Sequence, residues 1–201
     1  MTASRVCADV RLALNRDERH QALIACADLD TLTVDRMIHA MMPAAVAAVE
    51  SDAPASLLDS GYNFAESADL GRERAADGDL AVISVVLPPD FMRLVSFRLS
   101  DWTHPVTSPA ADSSQLQAMM GLPGASAIAD SRRPLGVIVR RAEGLVLVTY
   151  SSTPESAATV ADAVYRPWPE WDRDDAIDVS TRLYPAAVTE CASRVAASLK
   201  L

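Results

Sequence analysis

At 201 residues, half of them apolar and 22% charged, the chain is long enough to bury roughly 70% of the surface its unfolded form exposes, and its composition excludes a disordered polymer or a scaffold dependent on disulfide staples. A formal net charge of −9 argues against wrapping duplex DNA or lying on an anionic membrane, since both rely on Lys and Arg to displace counterions. Cys7, Cys26 and Cys191 are odd in number and widely spaced, which fits neither a disulfide framework nor a zinc site and reads as reduced thiols in a cytosol.

The first 20 residues meet Asp9 and Arg11 too early for a signal peptide, and no stretch of about 20 apolar residues is present to cross a membrane. Val6, Val10 and Leu14 recur at fourfold spacing after Ser4, a candidate N-cap, and predict a short helix over residues 5–15. Charged NRDERH interrupts it. A second helix follows Thr33, again a candidate cap, with Val34, Met37, Ile38, Met41, Ala45, Val46 and Val49 on one stripe. Pro43 inside that stripe removes a backbone donor and is expected to kink the helix or split it in two. Asp52, Ala53 and Pro54 end the segment.

From residue 61 to 167 the period becomes two. Leu80–Leu87, LAVISVVL, is a β-branched run between Asp77-Gly78-Asp79 and Pro88-Pro89 and predicts a strand buried on both faces or nearly so. Val95, Phe97 and Leu99 alternate with Ser96 and Arg98 as in a half-buried strand. The residues between, LPPDFMRL, read as a strand-turn-strand corner in which Asp90 accepts turn amides; Ser100-Asp101 turn the chain again and Trp102 packs behind them. Residues 135–150 predict a hairpin around Arg141-Ala142-Glu143-Gly144 with Gly144 at positive φ. Ala163-Val164-Tyr165 add a short strand that Pro167 stops.

Between Thr107 and Arg133 lies a long loop rich in Ser, Ala, Pro and Gly, with a helical turn at Ser114 to Met120; its small polar residues bury little. The last helix is capped by Asp178 or Ser180 and lays Leu183, Ala187, Val188, Cys191, Val195 and Leu199 on one face, with Pro185 in its first turns. The expected fold is α+β: one domain in which residues 1–57 and 176–201 form a helical bundle from the N- and C-terminal helices, and residues 58–175 form an inserted antiparallel β region with the loop 107–133.

No motif specifies chemistry. His20, His39 and His104 stand apart, without HxxxH or HExxH spacing. The run from Asp28 and Asp30 begins like a calcium loop but lacks its glycine and closing glutamate. GLPGAS at 121–126 has no lysine and no preceding strand to make a phosphate loop. The three cysteines sit among apolar neighbours in predicted helices, where cysteine behaves as a small hydrophobe. No catalytic, cofactor-binding or metal-binding residue is assigned.

The order of a strand, LPPDFMRLVSFRLSDW, a polar loop, the hairpin RPLGVIVRR…GLVLVTY, VYRPWPEW and a C-terminal helix resembles head-tail adaptor (neck or tubular tail A-like) proteins of tailed bacteriophages. In that family a strand also runs into an LPxDxxRL-like turn and helices from both ends form the bundle. LTVDRMIHAMMPAAVAAVESDAP looks like the paired helix that such proteins place before the β region. The likeness spans nearly the whole chain in order, departing in the long loop and in the scarcity of aromatics in the last helix.

The resemblance implies a structural role and no enzyme activity: a homo-oligomeric ring, commonly a dodecamer, in the virion neck between capsid and tail. The ring would dock under the portal protein and offer a platform to the tail or a second neck protein, while DNA passes through its channel without specific binding. No cofactor and no membrane are implied. Two other classes stay open on the residues themselves: a ligand- or peptide-binding module whose pocket is supplied by the LAVISVVL sheet beneath the loop 107–133, and an enzyme whose Asp, His or Cys residues converge from distant positions.

Overall fold

The computed structural model describes residues 1–16, 31–59, 61–74, 81–110, 112, 114, 129, 131–151 and 157–199. Two compact units divide the chain: Met1–Asp59 with Trp168–Leu201, and Ser60–Pro167.

The first unit is built on three helices, α1 (Ala3–Arg16), α2 (Thr31–Asp52) and α3 (Tyr184–Ser198). Val6, Val10 and Leu14 of α1 meet Ile38, Met42, Ala45 and Val46 of α2, and Ala187, Val188, Cys191 and Val195 of α3, in one apolar core. The helices start elsewhere than the capping residues suggest. Ser4 and Thr33 lie inside α1 and α2, and α3 begins only at Tyr184, with Pro185 in the first turn where its missing N–H breaks no helical bond. On α2 the stripe centres on Met42, which is fully buried, while Met41 is half-buried at its edge.

Pro43 does not split α2, which runs unbroken from Thr31 to Asp52. A proline at this position cannot donate to the carbonyl four residues back, that of His39. Trp171 Nε1 donates to that oxygen instead, at 2.8 Å, and the His39 ring stacks on the indole with centroids 4.5 Å apart. The orphaned acceptor is thus satisfied by a side chain distant in sequence.

Glu50, near the end of α2, is fully buried. Its Oε1 accepts from both the backbone N and the Oγ of Ser180, each at 2.7 Å, while Ser180 Oγ accepts from Asp59 N at 3.2 Å. The Ser180 carbonyl receives Leu183 N and Tyr184 N, opening α3. Ser180 is therefore held by Glu50 instead of capping the helix itself. Asp59 Oδ2 adds bonds from Thr181 N and Oγ1 at 2.7 and 2.8 Å.

The second unit holds seven strands among the described residues: β1 (Tyr62–Asn63), β2 (Leu70–Arg74), β3 (Ala81–Val86), β4 (Phe91–Leu99), β5 (Leu135–Arg141), β6 (Gly144–Tyr150) and β7 (Val160–Pro167). They pair antiparallel in two sheets, ordered β1-β7-β4 and β2-β3-β6-β5. Leu94, Phe97 and Leu99 of β4 and Ala163 and Tyr165 of β7 share a core with Ile83 and Val85 of β3 and Leu147 of β6. In β3, Ile83 and Val85 are buried but Val86 is 46% exposed, so the strand is buried on one face, contrary to the expectation from its apolar run.

In β4 the buried residues Phe91, Leu94 and Phe97 fall three apart instead of two. Register shifts between Phe91 and Arg93 and between Leu94 and Ser96 each insert one residue on β4, and each insertion turns the next apolar side chain back to the core. The β5–β6 hairpin has the expected form: Arg141 faces Gly144 across a two-residue turn, and Gly144 has φ +129°. Trp102 is buried after its turn, edge-on to Phe97.

Asp90 does not bond turn amides. Pro88 O accepts Phe91 N at 3.0 Å to close the corner, and the Asp90 carboxylate accepts the Tyr165 hydroxyl at 3.0 and 3.1 Å. Tyr165 is clasped by Phe64 and Phe91, and its hydroxyl is pushed up to about 12 by burial and then by this bond. Of the loop 107–133, residues 107–110, 112, 114, 129 and 131–133 are described, and the expected turn lies outside them beyond Ser114. Ala129 is buried, against the expectation that the loop buries little, and Ala110 N and Thr103 N bond Gly136 O and Ser131 O at 2.7 and 2.8 Å.

The expected architecture, a helical bundle carrying an inserted β region, is overturned. Three helices and two antiparallel sheets of seven strands are present among the described residues, with about as much strand as helix, and the sheets bury a core of their own. Two causes are visible. β2 carries no alternation that marks it in the sequence, and β7 spans eight residues where alternation gives three; α3 begins only at Tyr184, beyond Ser180, which bonds Glu50.

Three stability outcomes are expected in urea unfolding. Met42→Ala costs about 2 to 5 kcal/mol and Met41→Ala clearly less, since only the first empties an enclosed site. Glu50→Ala costs roughly 3 kcal/mol and Glu50→Gln no more than about half of that, because glutamine keeps an acceptor for Ser180. Asp90→Ala costs about 1 kcal/mol in the native background and close to nothing in Tyr165→Phe; equal losses in both backgrounds would show that the pair is not the source.

Candidate functional site

A cleft of about 540 Å³ opens in the helical unit beside α1 and α2. The α1 wall is Ala3, Ser4, Cys7, Ala8 and Arg11, spaced so that they share one helical face. From α2 come Asp35, Arg36 and His39, and Asp175 completes the rim. Asp175, at φ 55°, is presented by a turn in which Asp172 Oδ1 accepts the amides of Asp174 and Ala176 at 2.9 and 2.8 Å. The turn is tied to the start of α1 by Ala3 N donating to Asp175 O at 2.9 Å.

The polar groups are mostly paired within the cleft. Arg11 Nη2 meets Asp35 Oδ2 at 2.7 Å, and His39 Nε2 meets Asp175 Oδ1 at 2.9 Å. Asp35 Oδ1 is buried with no partner of full hydrogen-bond geometry among the described residues. Arg36 is exposed and has no carboxylate partner among them.

Cys7, His39 and Asp175, the residue types of a thiol nucleophile with base and orienter, therefore share one cleft. Their electrostatics work against that chemistry. Burial, then the charge of Asp35 and a thiol–carboxylate bond to it, push the Cys7 thiol from its ordinary 9.0 up to about 11, with Arg11 opposing. At pH 7 the thiolate is then roughly one part in ten thousand, too little for a nucleophile. Cys191, fully buried with Sγ 3.9 Å from Ile38 O, is pushed up to about 12, first by burial.

The other residues weighed in the sequence do not join this site. His104 is exposed in the β unit. His20, Cys26, Asp28, Asp30 and the GLPGAS run 121–126 lie outside the described residues. Among the described residues, no group of three or more His, Cys, Asp or Glu is placed to hold a metal, and no helix is long and apolar enough to cross a membrane. The cleft was signalled only by halves: fourfold spacing puts Cys7 with Arg11 and Asp35 with His39, but nothing in the sequence pairs the two faces. Comparison of the chain with protein-family models, curated proteins and solved structures finds no match.

Iodoacetamide should alkylate Cys7 very slowly at pH 7 and about tenfold faster with each pH unit up to about 10. Asp35→Asn should speed the reaction at pH 8 by removing a charge that disfavours the thiolate. Because the folded chain holds this proton more tightly than the unfolded one, the thiol's contribution to stability is fully present below pH 9 and is lost as pH rises through about 11. Thermal unfolding between pH 8 and 11, compared with Cys7→Ala, measures it.

Proposed function

We propose that the chain is a structural subunit of an oligomeric head–tail connector ring of a tailed bacteriophage, docking beneath the portal and supporting the tail or a second neck protein. One observation carries the reading. The residues of the likeness, LPPDFMRLVSFRLSDW through VYRPWPEW, are those on which the β unit depends: the corner at Pro88–Asp90 is locked to Tyr165 of VYRPWPEW, and Phe91, Leu94, Phe97, Leu99 and Trp102 supply its core.

Two physical features accord with it. A net charge of −9 suits a wall past which DNA slides, because like charge keeps the duplex from adhering. Exposed Leu12 and Trp168 in the helical unit and Tyr62 and Val86 in the β unit are large apolar side chains of the kind that subunit contacts bury.

Light scattering after size exclusion, negative-stain imaging with the portal protein, and proteomics of purified virions test the reading together. A ring that binds portal, and presence of the chain in virions at ring stoichiometry, are the expected results. A chain absent from virions and indifferent to portal would overturn it and would leave a ligand- or peptide-binding module as the better account.

A further inference from the structure

Trp168 is 58% exposed, an unusual position for the largest apolar side chain. It is also held stiffly. Pro167 ends β7 on one side and Pro169 follows on the other, and a residue before proline is confined to extended backbone. An indole presented this way loses little backbone freedom when a partner covers it, which is the character of an interface anchor.

The cleft in the helical unit has the complementary form. Its α1 wall carries the small residues Ala3, Ser4, Cys7 and Ala8 beside Arg11, and its volume of about 540 Å³ is large enough for an indole. Arg36 stands at its edge, exposed and without a carboxylate partner among the described residues. Two positions after Trp168, Glu170 is exposed and likewise unpaired among them. Arg36 and Glu170 are of opposite charge, while the cleft's own carboxylates, Asp35 and Asp175, face Arg11 and His39. Since Trp168 is largely exposed, it does not fill the cleft of its own chain.

We infer that Trp168 of one copy inserts into the cleft beside α1 and α2 of a second copy, with Glu170 meeting Arg36 at the rim. The contact joins two different surfaces of the same chain, so it is head-to-tail, and repetition closes into a ring or continues as a filament. A guanidinium beside the seated indole adds a cation–π term. The inference deepens the ring proposed above and rests on that reading for closure.

Size exclusion with light scattering on the full chain tests it, using variants at exposed positions whose helical circular dichroism is checked first. The wild type should self-associate. Trp168→Ala should weaken association by roughly thirtyfold or more, and Ala8→Trp, which blocks the cleft, should do the same. An equimolar mixture of the two variants should stop at a dimer, because one retains only the cleft and the other only the knob. Glu170→Arg should weaken assembly, and adding Arg36→Glu in the same chain should restore it. A wild type that stays monomeric throughout, a Trp168→Ala chain that assembles normally, or a mixture that yields full rings would overturn the contact. Rings formed by Trp168→Ala would leave the connector reading standing, whereas wild-type self-association by a chain absent from virions would remove that reading and keep the contact.

Discussion

The helical unit depends on one buried carboxylate. Glu50 places a carboxyl group in an apolar interior, which is unfavourable unless its oxygens are hydrogen-bonded, and Ser180 supplies both its amide and its hydroxyl. The two residues are 130 positions apart, so the bond fixes where the returning chain enters α3 relative to the end of α2. Apolar packing alone would tolerate sliding of one helix along another. A buried acceptor with two short donors does not, because any other register takes those two hydrogen bonds from it.

The β unit reaches definition differently. Its strands are irregular where regularity would fail: two inserted residues in β4 let Phe91, Leu94 and Phe97 all reach the same core. The hydroxyl of Tyr165, otherwise a buried polar group without a partner, is directed to Asp90 at the corner. Gly61 must lie against the carbonyl of Tyr165, where any Cβ would collide with backbone. Chain direction at the corner, aromatic packing and polar satisfaction therefore converge on a single side chain.

Much of this was legible in local pattern. Val6, Val10 and Leu14 mark α1 because their spacing matches a helix, and Gly144 marks its hairpin because only glycine takes that φ readily. What local pattern cannot show is partnership across the chain. Glu50 at the polar end of an apolar stripe looks like an ordinary helix terminus, and Pro43 looks like a break until Trp171, 132 residues from the His39 carbonyl it bonds, supplies the missing donor. Met41 and Met42 are adjacent in the sequence, and only Met42 is fully buried in the core that α2 shares with α1 and α3. LGRER of β2 has no apolar alternation, so its pairing with β3 is decided by the neighbouring strand. The cleft was hidden for the same reason: each helix face is visible alone, and their meeting is not.

The chain's three tryptophans occupy three different surroundings. Trp102 is enclosed in the β unit beside Phe97, Trp168 is largely in solvent, and Trp171 is pressed against an imidazole with its N–H tied to a helix carbonyl. Intrinsic fluorescence is thus divided by geometry: Trp102 reports on the sheets, and Trp171 on the proline turn of α2. With Trp168 silenced by substitution, the red shift of one indole and the changing emission of the other would tell whether the two units melt together or one after the other.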